Sequence, residues 1–268
     1  MSGSESYTLH YWPSIPGRGE YIRLAFEAAG QPFEENNKVE SLVDHIMTDT
    51  VVGHPPHFAP PLLEIRRKES GREPSGGASA ERFYLSQTPA ILAYLAPKLG
   101  LTGLPADEVQ GTEGDLKLAQ LNQLTLTALD LSNEAHDTHH PVAVGAYYEE
   151  QKDEALRRAE DFRKNRVPKF LRYFETVIRS NGRGDGKRLI GPSLSVADLV
   201  LFQVLDGLSF AYPRLMASLE RKGDYGGVFG LKRHVGGWDK VKGYVESGRR
   251  RKFSNGLYRH YPELDAEA

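Results

Sequence analysis

The 268-residue sequence contains no cysteine. That absence removes disulfide bridges, thiolate-ligated metals and any cysteine nucleophile of the protein's own, so sulfur chemistry here would have to use a thiol brought by a ligand. An excess of one charge sign is lacking as well: 34 Lys and Arg stand against 36 Asp and Glu, for a net charge of −2. Without a broad cationic field, nucleic acid is not an expected partner. The one dense basic run, Arg249-Arg250-Arg251-Lys252, reads as a solvated helix end or loop. No apolar run approaches the ~18 residues of a membrane span. The opening Met1-Ser2-Gly3-Ser4-Glu5-Ser6 lacks the charged-then-apolar order of a secretory signal, so a cytoplasmic location without a membrane partner is expected. What is present is an ordinary globular composition, 39% hydrophobic and 26% charged, on a chain long enough for two domains.

Tyr7 to Tyr11 is β-branched and aromatic and runs into the breakers Pro13 to Gly17, which predicts a strand and a loop. Ile22, Ala25, Phe26 and Ala29 then fall at helical spacing, with Gly30 where a left-handed terminating residue is wanted. Gln31 to Glu35 restarts an extended segment, a parallel partner for the first strand across a right-handed crossover. One irregular helix is expected between Lys38 and Gly53, then a non-helical proline cluster from His54 to Pro61. Leu62 to Ile65 and Phe83 to Leu85 read as strands joined by a long linker, Arg66 to Arg82, whose tip is expected to be mobile. Ser86-Gln87-Thr88-Pro89 opens a helix.

Residues 98–106 have the composition of a linker, which divides the chain into 1–97 and 107–268. Beyond it the period is helical. Leu118, Leu121, Leu124, Ala128 and Leu131 step by three and four, and so do Val167, Phe170, Phe174 and Ile178, after a break or kink expected at Pro168. A charged helix from Glu149 to about Lys164 precedes the second set. Ser195 with Asp198 three residues on is a capping pair heading a segment apolar nearly all round, the expected buried centre of an all-α region.

Several stretches, in order, carry a resemblance. They are Tyr7-Thr-Leu-His-Tyr11-Trp-Pro, Gly17-Arg-Gly-Glu20, Ile22-Arg23, Ala28-Ala-Gly30, Pro61-Leu-Leu-Glu-Ile65, Leu85 to Leu95, Asp130-Leu131, and Leu189-Ile-Gly191 leading into Ser195-Val-Ala-Asp198. Together they resemble the cytosolic glutathione transferases of the tyrosine type (alpha, mu, pi, sigma). The resemblance implies a thioredoxin-like α/β N-terminal domain, residues 1–97, that binds glutathione. An all-α helical-bundle C-terminal domain, residues 107–268, would supply the acceptor pocket. It also implies a homodimer with a role in detoxification.

By the same resemblance Tyr11 is the catalytic tyrosine, donating a hydrogen bond to the glutathione sulfur. A free thiol has a pKa near 8.5, and lowering it by ~2 units supplies roughly 2.7 kcal/mol toward the thiolate. A phenol, with its own pKa about 10, can donate while staying neutral. Arg18 would support the thiolate or hold a glutathione carboxylate, although Tyr11 and Arg18 stand one residue further apart than in the family pattern. Arg23 reads as structural. Pro61 matches the family's cis-proline, which turns the backbone toward the cysteinyl part of glutathione; because Pro60 precedes it and has no N–H to donate, either one backbone bond is lost or the register shifts to make Pro60 the cis residue. Gln87 and Thr88 match the pair that receives the γ-glutamyl carboxylate at a helix N-terminus. Asp130 matches an acid that reaches the glutathione of a neighbouring subunit.

The acceptor pocket, by resemblance, lies between Trp12, the loop at Ile15 and the first long helix beyond Asp130, where His136, Asp137, His139 and His140 stand. His136 and His140 have an i, i+4 spacing that zinc can use, but no third ligand follows at a recognised spacing, so no metal is expected; the resemblance implies glutathione as the co-substrate. Ser195 and Asp198 are assigned to capping. The expected reaction is conjugation of glutathione to an electrophilic small molecule. Glutathione-dependent isomerisation or peroxide reduction, or non-catalytic ligand binding on the same fold, are not separated from it by the residues.

Overall fold

The computed structural model describes residues 5–47, 55–67 and 81–267. Four strands form one mixed sheet in the order β2-β1-β3-β4: β1 Glu5–His10, β2 Glu34–Asn36, β3 Leu62–Arg67 and β4 Glu81–Ser86. The last four residues of β1 are all buried, as a central strand covered on both faces requires. β2 lies parallel to β1, with His10 beside Asn36, while β3 runs antiparallel with His10 beside Leu62. β4 returns antiparallel, with Leu62 beside Ser86. The end of β1, the start of β3 and the end of β4 therefore share one edge of the sheet. This is the thioredoxin-like half of the fold.

Helix α1, Gly19–Ala29, follows β1 and buries Ile22, Leu24, Ala25 and Phe26 completely. It stops at Gly30, whose φ of 71° is left-handed and whose amide closes onto Glu27 and Phe26. The expected irregular helix is α2, Val39–Met47, and most of the Arg66 to Arg82 linker lies outside the described residues. Helix α3, Thr88–Lys98, starts at the same sheet edge as α1.

Seven helices make up the rest: α4 Gly111–Asp137, α5 Lys152–Asp161, α6 Val167–Ser180, α7 Val196–Ala211, α8 Pro213–Lys222, α9 Gly226–Gly236 and α10 Asp239–Glu246. The apolar α7 is the buried centre, as its composition predicts. Its start is held by Asp198, a fully buried carboxylate that accepts from Ser195 N (2.9 Å), Ser195 Oγ (2.7 Å) and Leu189 N (2.8 Å). The cap thus ties the Leu189 loop to the core. The chain between α3 and α4 docks here too, Val196 N donating to Leu101 O at 2.9 Å.

Two expectations are corrected. The chain does not break at Pro168; five residues, Phe162–Arg166, widen into a π turn in which Val167 N reaches back to Phe162 O, and α6 continues from there. Pro168 has no N–H to offer the preceding turn, and the widened turn accommodates that loss. The run Arg249 to Arg251 is not a solvated end. Arg249 pairs with Glu27, Arg250 with Glu20 and Asp206, and Arg251 with Glu35, so the segment after α10 is strapped across α1, β2 and α7. The strap continues with Phe253 stacked on Phe210 and Tyr258 pressed on Gly207, where any side chain would meet the tyrosine ring within 2.5 Å.

Candidate active site

Tyr11 leaves the end of β1 with its backbone N–H on Asn36 O (3.2 Å) and its ring 5% exposed. The ring lies under the start of α1. A Cβ at Gly17 would stand 2.2 Å from the Tyr11 hydroxyl, and one at Gly19 would stand 2.7 Å from the ring, so both positions need glycine; Gly17 also sits at φ 48°. The hydroxyl accepts the Arg18 amide at 2.7 Å and keeps its own proton to donate. Burial raises its pKa above the usual phenol range, opposed by the Arg18 amide and the nearby Arg18 and Arg23 charges. At neutral pH it is a neutral donor.

Arg18 is half-buried, and its guanidinium donates to Asn133 Oδ1 on α4 at 2.9 Å, joining the sheet half to the helical half beside Tyr11. Pro61 opens β3 at the same edge, and the peptide bond between Pro60 and Pro61 is cis. Gln87 follows β4 there at φ 71° and ψ 116°, a conformation that non-glycine residues rarely adopt and that marks functional sites when it persists. Thr88 is 3% exposed, and its Oγ1 is buried without a hydrogen-bond partner. An unpaired buried hydroxyl costs ~1–3 kcal/mol, a cost that a bound acceptor would remove.

Trp12 and Ile15 are half-buried and packed against the core. His136 and His140 stack with ring centroids 5.0 Å apart, and His139 lies edge-on to both at 5.1 and 4.9 Å. His139 donates from Nε2 to Leu257 O (3.2 Å) and His140 from Nδ1 to Ala146 O (3.1 Å), which sets their tautomers. Burial pushes all three imidazoles down, His139 to about 3. Among the described residues no group of three metal-ligating side chains is assembled. Asp130 is exposed on α4, one turn after the exposed Leu126. Tyr11, Arg18, Pro61, Gln87 and Thr88 thus share one sheet edge, while His136 lies in the last turn of α4 and His140 just beyond its end.

The family profile for the glutathione S-transferase C-terminal domain matches residues 136–248. A curated relative from Sus scrofa, glutathione S-transferase alpha M14, is 28% identical over 249 residues, covering 91% of this chain and 90% of its own. Among solved structures, the Fasciola hepatica sigma class enzyme superposes with a TM-score of 0.64 at 18% identity, covering 93% of this chain and 98% of that one. The Onchocerca volvulus pi-class glutathione S-transferase gives 0.64 at 20% identity, covering 95% and 100%. This chain carries a glutathione S-transferase C-terminal domain, and over most of its length it is similar to glutathione S-transferases.

The profile match begins at His136, so the sheet-edge residues rest on the geometry above. Several neighbours of the site were not legible beforehand. Asn133 is a lone helix polar residue with no pattern to distinguish it. His57, 7% exposed and paired with Ser86 Oγ at 3.0 Å, sits within the proline cluster. Tyr21, Ser132 and Tyr258 share a buried hydroxyl network, Tyr21 donating to Ser132 at 2.7 Å with Tyr258 3.0 Å away; its members lie more than 100 residues apart.

Proposed function

We propose that the protein is a glutathione transferase joining the glutathione thiolate to an electrophilic small molecule. The observation that carries this reading is the unpartnered Thr88 hydroxyl, buried beside the strained Gln87 on the edge that also presents Tyr11. The γ-glutamyl carboxylate would take the Thr88 hydroxyl and the amides opening α3, where the helix dipole favours an anion. The cysteinyl backbone would lie along the start of β3 after Pro60 and Pro61, which brings the thiol to Tyr11. The thiol gives its proton to solvent water, and the Tyr11 O–H donates a hydrogen bond to the thiolate left behind. The thiolate then forms the new C–S bond, with the displaced group or added electron density leaving on the acceptor.

Arg18 stands beside that charge, and Trp12, Ile15, His136 and His140 would border the acceptor. With the three imidazoles neutral, this border is polar rather than charged. Asp130, exposed beside Leu126, fits a role toward the glutathione amino group of a second subunit, so the working form is a homodimer. The division into residues 1–97 for glutathione and 107–268 for the acceptor belongs to the same reading, as do cytoplasmic detoxification and a site without metal.

Calorimetric titration with glutathione tests it, on wild type and Thr88→Val. The substitution keeps shape and removes an unsatisfied hydroxyl, so the unliganded variant should be as stable as wild type or more so. Glutathione affinity should fall about 10- to 100-fold, the value of a hydrogen bond to a charged group. No heat of glutathione binding to the wild type would end the proposal.

A further inference from the structure

The strap makes an ion-pair network that enters the thiol site from behind. Glu20 in α1 has a fully buried side chain, and Arg23 and Arg250 are 3% and 10% exposed. Glu20 Oε1 accepts from Arg250 Nε at 3.3 Å, and Oε2 accepts from Arg23 Nη1 at 3.2 Å and Tyr244 OH at 3.3 Å. Arg250 is fixed in turn by Asp206 at 2.8 Å and by Gln203, both on α7. Arg23 also pairs with Glu35.

From this network Arg23 reaches the site twice. Its Nη1 donates to the Pro16 carbonyl at 3.0 Å, and its guanidinium carbon lies 5.6 Å from the centre of the Tyr11 ring. Pro16 and Gly17 begin the turn whose next amide, Arg18 N, is bonded to the Tyr11 hydroxyl. The strap passes the same turn at Gly256, where a Cβ would come within 3.8 Å of Gly17 and Ile15. A cavity of about 260 Å³ opens beside the network, lined by Arg23, Glu27, Phe33, Glu35, Tyr244 and Arg249. Arg23, 2% exposed as a whole residue, is held there by its paired charges on Glu20 and Glu35.

We propose that Arg250 is a positioning residue for the thiol site: it fixes Glu20 and Arg23, and through the Pro16 carbonyl they hold the Arg18 amide on Tyr11. Arg250 touches no reacting atom. Its effect is on how well the tyrosine is aimed, and hence on the ionisation of the bound thiol. This rests on the glutathione transferase reading.

The test compares Arg250→Met with Arg249→Met, which cuts the more exposed pair to Glu27 and leaves Glu20 untouched. The ultraviolet absorbance of the thiolate, followed against pH with glutathione bound, gives the thiol pKa. It should rise by about one unit in Arg250→Met, lowering the turnover of a standard electrophile about 10-fold at acidic pH, while glutathione affinity changes less than about twofold. Arg249→Met should match wild type in all three. A readout free of glutathione runs in parallel: in a Trp238→Phe background the remaining tryptophan is Trp12, next to Tyr11, and acrylamide should quench it more in Arg250→Met alone. Should Arg250→Met not fold, Arg250→Lys keeps the charge but cannot bridge Glu20, Asp206 and Gln203 together, and the same shifts are expected. A folded variant with wild-type thiol pKa and wild-type quenching overturns the proposal. If wild type forms no bound thiolate, the transferase reading fails instead, and the quenching arm still judges the strap.

Discussion

Tyr11→Phe should leave the architecture intact and change the acid-base behaviour of bound glutathione. The ring stays clamped between Gly17 and Gly19, and what is lost is one hydroxyl, the acceptor of the Arg18 amide. A hydrogen bond to a charged sulfur is worth about 1.5–3 kcal/mol. At about 1.4 kcal/mol per unit, the thiol pKa should climb by roughly one to two units. With a two-unit change from about 6.5 to about 8.5, thiolate at pH 6.5 falls from about a half to about one part in a hundred, roughly 50-fold. The penalty should shrink toward unity above about pH 9, where thiol ionises in both proteins. Burial raises the Tyr11 pKa, so the wild-type phenol remains a donor across this range and does not confound the comparison. The assay is thiolate absorbance and initial conjugation rate, measured together from acidic to alkaline pH. A rate ratio that stays constant with pH would refute the reasoning, because it would place the hydroxyl's contribution elsewhere than on thiol ionisation.

Two further outcomes concern stability. Asp198→Ala strips the cap from α7 and leaves the buried amides of Leu189 and Ser195 without an acceptor, so urea unfolding should show a loss of about 3–5 kcal/mol. His139, held to about 3 chiefly by burial, is neutral when folded, while the unfolded chain takes up the proton near 6.5. The unfolded state therefore binds more protons as pH falls below that value. The stability His139 contributes is whole above pH 6.5 and drains away toward pH 3, on the order of 3 kcal/mol between pH 7 and pH 4. His139→Gln, which retains a donor for Leu257 O, should flatten that slope in unfolding curves taken across the range.

Patterns confined to a few residues were readable in the sequence. The strand ending in Tyr11, the breaker loop and the helix closed by Gly30 are each written in adjacent residues, and the Ser195 and Asp198 pair announces α7 by a three-residue spacing. The shared edge of Tyr11, Pro61 and Gln87 emerged only once the register of β1, β3 and β4 was known, although resemblance had already grouped them. The basic run misled because its meaning lies in acids 216 to 230 residues earlier, and no local window relates Arg250 to Glu20 or Arg251 to Glu35. Similarly, His136 and His140 stand at a helical i, i+4 spacing in the sequence, while the helix itself ends at Asp137. Pro168 signals a lost hydrogen bond but not whether a helix breaks or widens in response.

The strap also imposes an order of events on a newly made chain. Glu20 and Arg250 are 230 residues apart, so at about 5–20 residues per second the ribosome delivers the second roughly ten to fifty seconds after the first. Throughout that interval α1 carries a carboxylate meant for the interior with Arg23 as its nearby cation and the strap still unmade. The sheet pairings all lie within the first 86 residues, but the contacts that close over Glu20 must wait for the far end of the chain. Completing the surroundings of Glu20 is thus a late, long-range closure.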